Sequence, residues 1–539
     1  MTLAVNSLSA FSQKVGPLPI LAAYLEKLNL RPLLRQALPQ ARSVEAVELL
    51  LKSILLEPQA LYRIAEWAQR WDPRWIGSVP SGDDAVGRAL ERLFTADRAS
   101  LLTAVVVQAV QVFALRLDQL HNDSTTVSFA GAYLHQKPQA VQLRRGVNKD
   151  HRPDLKQLVY SLTISADGAV PVHYKAYHGN RTDDTTHWET WQSLRQLFGR
   201  ADFLYVADCK LCVRQTLLQI DAADGRFITT LPALRRETEQ FDSECLASLV
   251  RWETLWKRRC ARAAKRSETF EVASGFYQMS EGFRLYWYRS SEKTRRDAQD
   301  RQERLERALR QLQKLTLRHR TEKALRNAAQ KILAKNRVES WIPWEVRLEL
   351  QTRYKRLRRR SSQETAAYQQ VRQKVPALHY QIDEPAVARS RIMDGVFPLG
   401  TNTSLSALDV LKKYKNQPYL EKRHALFKST LAVAPVFLKN NDRVEALMLV
   451  YFLAQFLTAL LERTVRKNMA REKISALPIL PEGRDSKTPT VEQMFGQFDR
   501  CQCIQITQNN ELIKTVREPL SDLQRELLRL LEVDPAIYR

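Results

Sequence analysis

LRLDQLHNDSTTVSF (residues 115–129), QLVYSLTIS (157–165), AVPVHYKAY (169–177) and DFLYVAD (202–208) decide the fold. In each run apolar and polar residues alternate, or β-branched and aromatic residues dominate. Successive side chains of a strand point to opposite faces, so this pattern predicts four strands. Asp167-Gly168, between the second and third runs, predicts a hairpin turn. THWETWQSLRQLF (186–198) has the spacing of an amphipathic helix and leads into the fourth strand. A helix over RQTLLQI (214–220) and a further strand over RFITTLP (226–232) follow.

Three antiparallel strands and then an α/β crossover is the order of a ribonuclease H-like core, a mixed sheet flanked by helices. The expected class is therefore α/β. Upstream, Leu21, Tyr24, Leu25 and Leu28, then Ala46, Leu49, Leu50 and Ile54, fall at helical spacing, which predicts a helical N-terminal domain over residues 1–110. The core begins over 111–231. Residues 232–388 break its pattern. They start with a hairpin (GFYQMS, FRLYWYRSS) and continue as long charged helices from Ser291 to Val375, a basic helical arm that includes TRYKRLRRRSSQETAAYQQV. This arm reads equally as a solvated helix pair or as a DNA-facing surface. Packed structure returns over 389–475, with helix, break and helix in SALDVLKKYKNQPYLEKRHALFKS and Pro418 near the start of the second helix. A tail spans 476–539.

The chain has 539 residues, more than one core of roughly 250–300 residues can use, so several domains are expected. Lys and Arg number 84 against 59 Asp and Glu, a net charge of +25. A surplus of that size favours a polyanionic partner, nucleic acid before an anionic membrane surface. The most apolar run, about Ala446 to Leu461, is interrupted by Gln455 and reads as a buried helix, so no membrane partner is expected. The first residues have no secretory pattern. Six cysteines, with Cys209 and Cys212 as CxxC and Cys501 and Cys503 as CxC, make neither a disulfide framework nor a zinc site with histidines at ligand spacing. A reducing, cytoplasmic setting is expected.

Three acids stand out. Asp123 in LHNDSTTVSF ends an apolar strand and is followed by small hydroxyl residues that leave room for a metal ion. Its plainer reading is a turn cap. Asp208 in FLYVADCKLC ends a buried-looking strand, where ligands of open α/β sheets collect, although it could equally cap the next helix. Glu421 in YKNQPYLEKRHALFK lies two helical turns from Lys428, so the two share a face. A carboxylate for a metal and a lysine for a phosphate would suit one DNA strand. An ordinary charged surface helix would look the same.

Together these stretches resemble the DDE transposases of the insertion-sequence-4 superfamily, most closely the branch of insertion sequence 1634. NDSTT (122–126) is similar to the first-aspartate motif. GVNKDHRPDLKQLVYSL (146–162) and HGNRTDDTT (178–186) are similar to markers of the branch. DGVFPLGTN (394–402) leads into what resembles the Tyr–Arg–Glu–Lys motif, here Tyr414, Gln417, Glu421 and Lys428. Gln417 departs from the motif's arginine. The resemblance implies that Asp123, Asp208 and Glu421 are catalytic and hold two Mg²⁺ ions, with Mn²⁺ able to substitute. It implies that Tyr414 and Lys428 bind DNA. It further implies a large insertion domain between Asp208 and Glu421, which are 213 residues apart. The implied partners are double-stranded DNA, as transposon ends and target, and a second copy in a homodimer. The implied place is the bacterial cytoplasm, at the nucleoid. Recognition of the ends falls most naturally to the N-terminal helices. Some relatives stack a flipped base on a tryptophan, but Trp252, Trp256, Trp287, Trp341 and Trp344 read better as core residues. Rival readings are a nuclease that cuts without joining, a catalytically inactive transposase-derived DNA-binding protein, and a helical protein of RNA or membrane surfaces.

Overall fold

The computed structural model describes residues 8–80, 82–259, 267–315, 321–356, 368–433, 438–508 and 511–539. Its architecture is mixed α/β. Residues Thr230–Thr401 and Leu405–Asp409 form one compact unit, and the rest of the chain forms another.

In the larger unit, strand β1 (Leu8–Lys14) precedes the helices α1 (Leu18–Lys27), α2 (Leu30–Ala37), α3 (Ala41–Leu56), α4 (Ile64–Gln69), α5 (Pro73–Ile76), α6 (Asp83–Thr95) and α7 (Arg98–Phe113). Asp97 caps α7 by accepting the Ser100 amide hydrogen at 3.0 Å, satisfying one of the free donors of the first turn. Then come β2 (Gln119–Phe129), β3 (Lys156–Ser165), β4 (Pro171–His178), α8 (His187–Phe198), β5 (Leu204–Ala207), α9 (Arg214–Ala222) and β6 (Arg226–Thr230). The strands lie in the order β4-β3-β2-β5-β6. The pairs among β2, β3 and β4 are antiparallel, while β5 runs parallel to β2 and to β6. The turn between β3 and β4 contains Asp167-Gly168, with Gly168 at φ +80°, as the sequence predicts. β3 and β5 are buried on both faces, so their near-continuous apolar runs fit sheet covered on two sides.

The smaller unit contains α10 (Arg236–Leu246), β7 (Trp252–Arg259), β8 (Ser267–Ala273), β9 (Tyr277–Gln278), β10 (Arg284–Ser290), α11 (Ser291–Leu315), α12 (Glu322–Asn336), β11 (Trp344–Arg356), β12 (Tyr368–Tyr380), α13 (Glu384–Arg391) and β13 (Val396–Thr401). β9 and β10 form the expected hairpin, and β10 also pairs with β8 and β13. Trp287 is buried and stacks on Phe241 with ring centroids 4.0 Å apart. One expectation is overturned. Among the described residues, the charged stretch from Ser291 to Val375 is helical in α11 and α12 alone, and β11 and β12 form a two-stranded antiparallel ribbon. Beneath the charge, Val346, Leu348, Leu350, Thr352 and Tyr354 alternate with Arg347, Glu349, Gln351 and Arg353, and that period of two belongs to a strand. Of the basic stretch TRYKRLRRRSSQETAAYQQV, residues 357–367 lie outside the described residues.

After α14 (Ala407–Tyr414), which belongs to the larger unit from Val410 onward, the chain completes that unit with α15 (Gln417–Lys428), α16 (Asn441–Arg471), α17 (Val491–Gly496), β14 (Gln502–Gln508), β15 (Glu511–Arg517) and α18 (Asp522–Leu530). By length and composition α16 could cross a membrane, yet 94% of its apolar window is buried inside the protein. It is the axis of the core. Helices α3, α6, α15, α17 and α18 and strand β4 all pack on it. Tyr160, Tyr174 and Phe452 stack in sequence, and Phe427 stacks on Tyr160 at 4.6 Å, which ties β3, β4, α15 and α16 together. β14 pairs with β1 and β15 in a small sheet that joins the two ends of the described chain.

Candidate active site

β2 and β5 are paired in parallel through Gln119↔Leu204, Leu120↔Tyr205 and His121↔Val206. Carried two residues further, this register sets Asp123 opposite Asp208, just beyond the carboxyl end of β5. Residues in register on neighbouring strands face the same way, so both carboxylates belong to the face that also displays Gln119 and His121. Asp123 therefore lies inside β2, the fifth of its eleven residues, and not at a strand end as its sequence context suggests. β5 stops at Ala207, which leaves that flank of β2 open beside Asp123.

Helix α15 crosses this face. Gln417, Glu421, His424 and Lys428 follow at intervals of four, three and four, which makes one stripe along the helix. Gln417 is buried. Its Oε1 lies 2.8 Å from His121 Nδ1, and its amide donates to the Asn122 carbonyl at 3.3 Å. Gln417 is thus a tether between α15 and β2. His424 is also buried, with Nε2 3.9 Å from Asp123 Oδ2. Glu421 is exposed and lies between these two contacts along the stripe. Arg423, on the other side of α15, pairs with Glu462 at 2.9 Å and donates to the carbonyls of Gly168 and Ala169. The end of α14 (Ala407–Tyr414), just before α15, is held as well, since Gln119 donates to the Lys413 carbonyl at 3.0 Å.

The electrostatics show which groups feel one another. Burial pushes the Asp123 carboxyl above its ordinary value, against the pull of Lys149. Burial raises Asp208 as well, and the negative charge of Asp123 adds to it. Burial raises the Tyr414 hydroxyl, and Asp208, Glu421 and Asp123 all raise it further. Tyr414 thus senses the three acids together. Burial depresses His424 to about 3, with Lys149 and Lys428 adding to the effect, so its imidazole is neutral. Lys428 is occupied by an ion pair with Asp150 at 2.6 Å.

Several residues here were missing from the sequence-based set. Lys149 donates to the Ser124 carbonyl at 2.6 Å and stands 3.4 Å from Asp123 Oδ1 and 3.3 Å from Asp183 Oδ2. Burial opposes its charge, but Asp123 and Asp183 outweigh burial and hold it as ammonium. Ser124 Oγ donates to Asp183 at 2.6 Å. The small hydroxyl residues after Asp123 organise the loops around it. Ser124, Thr126 and Ser128 hold Asp183, Lys149 and Asn148 in place. Two glycines bring these loops together. A Cβ on Gly146 would lie 2.4 Å from the Gly179 carbonyl oxygen, and one on Gly179 would lie 2.0 Å from that of Gln157. GVNKD and HGNRTDD meet backbone to backbone, which only glycine permits, and this delivers Lys149 and Asp183 to Asp123. The signal was present in the sequence, since both residues sit in the two marker stretches.

Among the described residues, no group of three or more His, Cys, Asp or Glu side chains is close enough to hold one metal ion. The chemistry of the donors nevertheless suits a cation. Two half-buried carboxylates whose proton affinity is raised by burial and by each other would gain from a positive charge between them.

No protein-family model matches the sequence, and none of the curated proteins does. Among solved structures, the chain is similar to a piggyBac transposase synaptic complex with hairpin DNA, at 12% identity and a TM-score of 0.26. That match covers 47% of this chain and 52% of the other. It is also similar to a Mos1 transposase paired-end complex with the left transposon end, at 10% identity and a TM-score of 0.15, covering 33% of this chain and 56% of that one. The chain thus spans about half the length of each.

Proposed function

We propose that this chain is a DNA transposase of the Asp–Asp–Glu kind, which cuts and joins DNA on a ribonuclease H-like core. The observation that carries the reading is the parallel register of β2 and β5, which sets Asp123 against Asp208 on the face crossed by the helix of Glu421. The strand order β4-β3-β2-β5-β6, with three antiparallel strands and then parallel ones joined through helices, supports the same core. A unit at Thr230–Thr401, between β6 and α15, supports the insertion that the insertion-sequence-4 resemblance implies.

Asp123, Asp208 and Glu421 would hold Mg²⁺ or Mn²⁺, because an all-carboxylate set suits hard cations and two ions make a complete site. Bound there, the ions would offset the negative charge that gathers on a phosphodiester under attack. The chain's own residues supply the setting. His121 and Gln417 fix the face of α15 against β2. The Tyr414 hydroxyl stays protonated and can donate to a phosphate oxygen. Lys428 can exchange Asp150 for phosphate, since both partners are partly open to water. Transposon ends and target would be duplex DNA, and pairing two ends would take a homodimer.

A second reading, a catalytically inactive transposase-derived DNA-binding protein, is favoured by one observation. Lys149 forms an ion pair with Asp123 where a metal's charge would act. A cleavage and strand-transfer assay separates the two. It uses labelled DNA carrying the flanking inverted repeat, Mg²⁺, and the variants Asp208→Ala and Glu421→Ala. Metal-dependent nicking and joining, abolished in both variants, is expected. Binding without cleavage, equal in wild type and variants, would leave the second reading standing.

A further inference from the structure

The ribbon of β11 and β12 is paired over thirteen residues of each strand, from Trp344↔Tyr380 to Arg356↔Tyr368. At a rise of about 3.4 Å per residue it is about 44 Å long. Its two ends differ. At the base, the cross-strand partners Val346 and Leu378 are buried in a core with Leu312, Leu325 and Leu333. Farther out on the same face, Leu350 is 71% exposed and Tyr354 69%. A two-stranded ribbon without a covered face is marginally stable in water, so this outer half suits a partner surface.

The charge pattern identifies the partner. The base carries Glu345 and Glu349, each paired locally, with Arg347 and His379. Residues 350–355 and 368–374 carry Arg353, Lys355, Arg372 and Lys374 and no acid. The register distributes these four cations evenly. Arg372 and Lys374 oppose Thr352 and Leu350 and share the face of Tyr354, while Arg353 and Lys355 oppose Val371 and Gln369 on the other face. Each strand contributes two. Cations on both faces and both strands do not match one flat acidic patch. They match a groove with anionic walls on either side. The major groove of duplex DNA is about 12 Å wide and admits a two-stranded ribbon.

We infer that the outer half of this ribbon seats in the major groove of duplex DNA, with Arg353, Lys355, Arg372 and Lys374 on the phosphates of its two walls. The inference rests on the reading of the chain as a DNA-processing protein, and it assigns the duplex-gripping role to a surface outside the Asp–Asp–Glu site. Apolar contact from Leu350 and Tyr354 would add little sequence preference, so the grip is largely sequence-independent.

The test is salt-dependent binding of the full-length protein to a fluorescent duplex of about 40 base pairs, some three times the length the ribbon spans. Wild type is compared with the quadruple variant Arg353→Gln, Lys355→Gln, Arg372→Gln, Lys374→Gln, and with Leu350→Ser, Tyr354→Ser. Each phosphate contact contributes about 0.9 to the slope of log affinity against log salt, so the quadruple variant is expected to lose about 3 to 4 from that slope. Equal slopes in wild type and quadruple variant would overturn the inference while the cleavage assay still judges the transposase reading. A drop from dimer to monomer in Leu350→Ser, Tyr354→Ser by light scattering, with DNA affinity unchanged, would assign the ribbon to a second copy of the chain instead. No salt-dependent duplex binding by wild type would remove the DNA reading and this inference together.

Discussion

Replacing Arg423 by methionine should loosen the helix that carries Glu421. Arg423 is buried and satisfied three ways. It pairs with Glu462 at 2.9 Å, its Nε donates to the Ala169 carbonyl at 3.0 Å, and its Nη2 donates to the Gly168 carbonyl at 3.2 Å. Its aliphatic stem is packed as well. Methionine keeps the stem but removes every donor. Two carbonyls at the β3–β4 turn then lose charged partners, at about 1–3 kcal/mol each where burial keeps water out. Glu462 keeps Arg466 at 3.4 Å, which limits its own loss. Removing one partner of a buried pair costs about 3–5 kcal/mol in comparable cases, and the same range is expected here. Glu462→Leu alone should cost as much, because it strands a buried guanidinium. The double variant Arg423→Met, Glu462→Leu should recover more than half of the summed loss, since it leaves no uncompensated charge. Urea unfolding followed by tryptophan fluorescence measures all three. Arg423→Met within about 1 kcal/mol of wild type, or a double variant no better than the sum of the singles, would refute the placement of this pair at the root of α15.

Two further outcomes follow from the charges. Asp208→Asn removes a carboxylate whose ionisation is opposed by burial and by Asp123, so without divalent metal the variant should melt no lower than wild type, while Mg²⁺ should raise the melting temperature of wild type and not of the variant. A Mg²⁺-induced shift of equal size in both would count against Asp208 as a ligand. His173 in β4 is depressed to about 4 by burial, with Lys175 adding to the effect and Glu189 opposing it. Its folded value lies below the unfolded one, so its contribution to stability is present above about pH 6.5 and is lost as pH falls towards 4. At pH 5 this amounts to about 2 kcal/mol. His173→Gln should therefore lose less stability than wild type between pH 7.5 and pH 5 in urea titrations, and an identical loss would exclude His173 as the sensor.

Local pattern carried a good part of this protein. Period-two runs identified β2, β3, β4 and β5, Asp167-Gly168 identified their hairpin turn, and helical spacing identified α8, α15 and the buried α16. These signals are legible because a strand or an amphipathic helix writes its own covered face into consecutive residues. The same rule exposes the misreading of β11 and β12. There the alternation is present but dense charge on the solvent face masks it, and the pairing of the two strands shows the alternation to be the better guide. Other features depend on contacts that no single run of sequence encodes. The β1–β14 pairing joins residues nearly five hundred positions apart and depends on where the core brings them. Lys149 and Asp183 reach Asp123 only because Gly146 and Gly179 let two loops touch backbone to backbone. Sequence alone could nominate Asp123, Asp208 and Glu421 through the motifs they sit in, although Asp123 lies inside its strand and not at the strand end its context suggests. That Asp123 and Asp208 share one face, and that α15 crosses it held by Gln417 and Arg423, was decided by the parallel register and the buried polar contacts. Those are non-local interactions, formed between segments whose separation along the chain carries no information about their separation in space.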